Sequence, residues 1–265
     1  VRGSSESIVV RPGSDGRPRA DHADSPRARR THSTTYRRVH DLHHGDVVAL
    51  AGVAQDRRTR GIARDDEHLY VGGDEVVHEA ELANIRASVD KHHNNPAVEA
   101  FVFDYFHFYG TPDFVANSPA WYRRECRLIR NTIRSYAPDG QYWLITADHK
   151  KGRNPQAALA NAHIYHYGWV RSNEAMQKKL DQVSKFWSHG APTIRYSQFD
   201  AQVLQPFTGT HPELVKPWLE SSAEKSFTID PNYKLTKREK RHRWLMKLEK
   251  AFGLDFSRKH FKLVA

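Results

Sequence analysis

The chain has 265 residues, 38% of them hydrophobic, with a net charge of +10 and one cysteine, Cys126. That length and composition suit one sizeable packed domain or two small ones; the lone cysteine excludes a disulfide framework and a thiolate metal cluster and suits a reducing, cytoplasmic setting. No apolar run approaches the roughly 20 residues that span a bilayer, and residues 1–66 (13 Arg, no Lys, 9 acids) carry +4 while 234–265 (11 basic, 3 acidic) carry +8, leaving 67–233 at −2 and arguing against nucleic acid as the partner of the core.

Residues 1–66 hold a single aromatic, Tyr36, and clusters such as RPRADHADSPRARRTH. Two readings stand side by side. Low hydrophobicity and high charge describe a disordered arm; Arg, Ala, His, Asp and Pro together are also what GC-rich codons yield out of frame. From residue 67 the pattern is regular. In HLYVGGDEVVHE, His68 to Glu79, Leu69–Val71 predicts a short buried strand, and Gly72 and Gly73 let the backbone approach a ligand. Asp74 and Glu75 then fall at the C-terminal end of that strand, where open α/β sheets bind ligands. Two hard oxygen donors there suit Mg²⁺ or Mn²⁺; a helix-start carboxylate favoured by the macrodipole gives the same pattern. His78-Glu79 opens an H-E-x-x-H spacing, but its fifth position is Leu82, which excludes a zinc metalloprotease helix.

The spacing of Leu82, Ile85 and Val89 predicts a helix over 81–94. Val98–Phe108 predicts a strand with Phe101, Phe103, Tyr105 and His107 on one face and Val98, Ala100, Val102, Asp104 and Phe106 on the other, ended by Gly110, Thr111 and Pro112. Trp121–Asn131 is amphipathic, with Arg127–Arg130 as a strand, and Ala162–Tyr167 is another strand. Trp121, Tyr122, Arg123, Arg124 and Glu125 combine a ring platform, two guanidinium groups and a carboxylate, which suits a sugar or phosphate site as well as a solvated face. His107 and His166 each sit near a strand end, as hydrogen-bonded core residues or as ligands.

Asn173 predicts the start of a helix striped by Met176, Leu180, Val183 and Trp187. Thr236 and Glu239 form a capping box that opens KREKRHRWLMKLEKAF, whose apolar side is Trp244, Leu245, Leu248 and Phe252. A helix packed on the protein by Trp244 and Leu248 is the expectation; a basic amphipathic helix of this composition also suits an anionic membrane surface or nucleic acid.

Five blocks in this order, YVGGDEVVHE, FDYFHFYGTPDFV, WYRRECRLIRN, IYHYGWVRSNEAM and TGTHPELVKPWL, resemble the C-terminal two-thirds of bacterial glycosyltransferase-like proteins related to family 2, over residues 67–221. The resemblance implies a GT-A-like, Rossmann-like α/β/α fold. It implies a nucleotide-sugar donor, an unidentified hydroxyl acceptor, and a divalent cation (Mg²⁺ or Mn²⁺) on an Asp-x-Asp motif. Gly72-Gly73-Asp74 occupies that place with only the second aspartate present, and His166 matches a late metal ligand. Glu125 would be the catalytic base and Asp74 the donor-side carboxylate. Glu75, His107, Arg123, Arg124 and Arg171 would bind donor or acceptor, with Trp121 or Tyr109 as the acceptor platform. SIVVRPGSDG, Ser7 to Gly16, resembles the family's second strand and turn, so the first strand is expected to precede Val1 and to be missing, and the fold to be incomplete at its N-terminus. Residues 17–66 do not match the family's nucleotide-contacting half. The resulting organisation is an atypical segment 1–66, a transferase-like domain 67–221 and a basic helical tail 222–265. The expected role is sugar transfer at the cytoplasmic side of a membrane, with an inactive form and a non-catalytic carbohydrate-binding or envelope-associated scaffold as alternatives.

Overall fold

The computed structural model describes residues 67–69, 73–130, 132–137, 142–148, 150–183, 196–221 and 226–264, all within the unit Asp41–Ala265. The expectations for residues 1–66, for 70–72 and for Trp187 lie outside the described residues. The fold is mixed α/β, with one eight-stranded sheet and flanking helices.

Two long strands form the middle of the sheet. β3 (Ala100–Tyr109) and β8 (Gln156–Trp169) run parallel, from Ala100 opposite Ala157 to Tyr109 opposite Trp169. β5 (Arg124–Arg130) lies antiparallel on the other side of β3, followed by β1 (Glu67–Leu69), while β2 (Glu75–Val77) lies antiparallel on the outer side of β8. β4 (Thr111–Ala116) turns back on β3, with β9 (Leu204–Pro206) beyond it. Gly110 makes that turn at φ 73°, a left-handed conformation suited to glycine. β10 (Lys262–Leu263) pairs parallel with the start of β8, and β6 (Ser135–Tyr136) and β7 (Leu144–Ile145) form a separate ribbon.

From Ala100 to Tyr105 the alternation along β3 is as the sequence predicts, but Val98, expected on the Ala100 face, precedes the strand and packs in the Phe101 cluster. Phe101, Phe103 and Tyr105 pack with Ala158, Ala160, Ala162 and Ile164 of β8, beneath α1 (Leu82–His92) through Ile85 and Val89. Ala100 and Val102 pack on the opposite face with Cys126, Ile145 and Phe261. Arg130 closes the C-terminal end of α1: its Nη2 donates to the carbonyls of His92 and His93 at 3.0 and 2.7 Å, occupying acceptors a helix end leaves open. The helix begins at Leu82, after a turn of 3₁₀-helix at Glu79–Glu81, one residue later than the spacing suggested. Two strands run longer than expected: β5 begins already at Arg124, and β8 reaches back to Gln156, where alanine-rich sequence hides a buried strand.

α2 (Asn173–Val183) buries Met176 and Leu180 against Tyr109, and α3 (Lys216–Ser221) inserts Trp218 beside Tyr167 and Val170. α4 (Lys237–Phe252) carries the predicted capping box, with the Thr236 side chain accepting from the Glu239 backbone N–H. Its orientation corrects the sequence reading. Trp244 is 59% and Phe252 69% exposed, and none of the helix's residues is fully buried. Ion pairs hold it instead: Arg243 to Asp200 at 2.7 Å, and Glu249 to Arg123 at 2.8 Å.

Candidate active site

Asp74 occupies a turn and Glu75 opens β2, so the two carboxylates start a strand rather than end one. Because β2 runs against β8, that start still lies at the C-terminal edge of the parallel pair. Glu75, His166 and His107 occupy one row across β2, β8 and β3.

Glu75 is fully engaged. Arg127 Nε and Nη2 donate to its two oxygens at 2.8 and 2.9 Å, and Tyr105 OH donates at 2.9 Å; all three side chains are buried. The arginine also lies over the Tyr105 ring, 5.3 Å from its centroid. A bidentate, buried pair of this kind forms a rigid floor and takes up both Glu75 oxygens.

The histidines form a directed chain. Burial, with help from His166, pushes His107 down to about 3, so it is neutral. Its Nε2 lies 2.7 Å from the Tyr122 carbonyl, which only accepts, so Nε2 carries the proton and Nδ1 accepts from His166 Nδ1 at 2.9 Å. His166 Nε2 is thereby the ring nitrogen left to exchange a proton or meet a ligand. It stands 3.7 Å from Asp74 Oδ1. Gly168 leaves the space beside them: a Cβ there would sit 2.5 Å from His166 Nε2 and 2.6 Å from Asp74 Oδ2.

Lys179, projecting from α2, donates to Asp74 Oδ2 at 2.6 Å. Burial alone would raise the Asp74 carboxyl, but His166 and Lys179 together outweigh it and hold it well below the usual carboxylate range. The expected divalent cation does not fit this arrangement. Its place against Asp74 is taken by the Lys179 ammonium, both Glu75 oxygens are bound by Arg127, and no three His, Cys, Asp or Glu side chains among the described residues form a metal-holding group.

The cleft above this edge has a volume of about 1150 Å³, and its lining includes Trp121, Tyr122 and Trp169. Arg238, Arg241 and His242 from α4 also line it, together with Arg258 and His260. Among the described residues no carboxylate pairs with Arg238, Arg241 or Arg258, whereas Arg123, Arg124, Arg127, Arg153 and Arg243 all hold acids. Those three exposed guanidinium groups remain open to a ligand anion.

The other candidates are placed differently. Glu125 is 1% exposed and does not line the cleft; its oxygens accept from the Cys126 N–H at 2.9 Å and from His260 Nδ1 at 2.6 Å. With Nδ1 held by the carboxylate and the ring stacked 4.1 Å from Tyr142, His260 keeps Nε2 for the cleft. Arg123 is bound to Glu249 and Asp255, and Arg124 to Asp104. Tyr109 is buried, stacked 4.1 Å from Phe199, so Trp121 is the platform of the pair that reaches the cleft. Arg171 is away from the cleft lining, its Nε buried without a hydrogen-bond partner among the described residues. Lys179, Arg127, Tyr105 and His260 escaped the sequence reading. Lys179 sits within the Met176–Leu180 stripe as an ordinary helix lysine, and His260 is 135 residues from the carboxylate that orients it.

No family model matches the chain, and no curated protein or solved structure matches it.

Proposed function

We propose that this cleft binds a nucleotide-diphosphate sugar and transfers the sugar, with inversion, to an acceptor hydroxyl. The convergence of Asp74, His166 and Lys179 at the C-terminal edge of β3 and β8, in a cleft whose lining holds both aromatic rings and arginines, supports the reading. In such a transfer the bond from the anomeric carbon to the phosphate oxygen breaks and its electron pair leaves on the diphosphate. The acceptor oxygen bonds to the opposite face of that carbon, and its proton passes to a base.

Each requirement has a group here. Lys179, with Arg238, Arg241 and Arg258 also in the cleft lining, supplies positive charge for the leaving diphosphate, and Asp74 holds the lysine in place. His260 Nε2 takes the acceptor proton, and Glu125 is the positioning residue that fixes its tautomer. Trp121 and Trp169, 5.5 Å apart and edge-to-face, give a sugar ring an apolar surface.

The test is release of nucleoside diphosphate from a panel of nucleotide sugars. One donor is expected to turn over, and His260→Gln to lower the rate about 100-fold or more. Binding of a donor with no release from any would leave a carbohydrate-binding scaffold and end the enzyme reading.

A further inference from the structure

The outward face of α4 has a composition that water alone does not explain. Lys237, Lys240, Arg241, Trp244, Lys247, Ala251 and Phe252 all fall within a narrow arc at 100° per residue, and all are exposed. The chain beyond the helix adds Leu254 and Phe256, exposed at 52% and 42%, beside Lys250 and Lys259. The inner face is held by Arg243–Asp200, Glu249–Arg123 and Met246, so the aromatic stripe is turned away from the protein by fixed contacts.

We infer that this face docks on an anionic lipid surface. Exposed Trp244 and Phe252, interleaved with Lys237, Lys240, Arg241 and Lys247, match the interfacial region of a bilayer, with the cationic groups at the headgroups. Charge selects the occupant. Residues 234–265 carry +8 against −2 for 67–233, so the segment that holds this face is strongly positive. A second copy of the same face would bring like charges together. Nucleic acid would use the lysines and Trp244, but it has no use for the exposed Leu254.

The same segment lines the cleft through Thr236, Arg238, Glu239, Arg241 and His242.

Flotation of the full chain with vesicles tests it. Phosphatidylcholine vesicles containing about a quarter phosphatidylglycerol are expected to bind at least about tenfold more protein than phosphatidylcholine alone, with release at high salt. Replacing Trp244→Ser and Phe252→Ser together should weaken binding about tenfold while leaving the circular dichroism spectrum and diphosphate affinity unchanged. Equal vesicle binding by the double variant and the wild type overturns the inference. So does tighter binding to duplex DNA that the double substitution leaves unaltered. Diphosphate affinity, measured on the same samples, reports separately on the transferase reading.

Discussion

Arg127 and Glu75 meet where almost no water reaches, and their pairing sets the floor on which the rest of the site stands. Removing one member of a buried pair strands the other charge, a loss on the order of 3–5 kcal/mol. Arg127→Met should therefore lower stability to chemical denaturation by about that amount, whereas Arg124→Met, at a half-exposed pair with Asp104, should cost about 1 kcal/mol or less. Equal effects of the two substitutions would remove the buried pair from its structural role. The sequence singled out Asp74, His107, His166 and Trp121, because their strands and turns carry local signals, and all four line one cleft. It did not disclose Arg127 as the partner of Glu75, since a salt bridge across 52 residues leaves no spacing to read.

At the scale of elements, the parallel pair β3–β8 makes the histidine chain possible by setting His107 opposite His166. Burial keeps His107 neutral, pushed down to about 3 from an ordinary 6.5. In the unfolded chain the same residue takes a proton below about 6.5, so the unfolded state binds more protons between those limits and stability falls as pH drops through them. Asp74, held below its ordinary 3.8, acts in the same direction at lower pH. The urea midpoint should fall from pH 7 to pH 5, and His107→Gln should flatten the decline; a wild-type midpoint unchanged over that range would contradict the buried neutral histidine. The strands of this pair were legible in outline from β-branched and aromatic runs. β8 was seen only in its second half, because its alanine-rich start has small residues that fit beneath α1 without advertising a strand. The helix α4 shows the opposite case. Its capping box was read correctly, yet Trp244 and Phe252 of its apolar stripe face outward while Leu245 and Leu248 are partly buried, because Arg243 and Glu249 find buried or half-buried partners in Asp200 and Arg123 and decide the rotation.

For the molecule as a whole, the mixed sheet places its chemistry at one edge, and the positive charge is strongest in residues 234–265. The described residues contain no helix long and apolar enough to cross a membrane. The central claim is that Lys179, seated on Asp74, provides in the site the fixed cation that a nucleotide diphosphate needs. Calorimetric titration of the full chain with uridine, guanosine, adenosine and cytidine diphosphates, in the presence of a chelator and again with Mn²⁺, tests it most directly. One of these ligands should bind equally well in both conditions, and Lys179→Met should weaken it by about 10- to 100-fold, the loss of one charge-assisted contact. Absence of binding by all four, or binding that appears only when Mn²⁺ is added, would contradict the account.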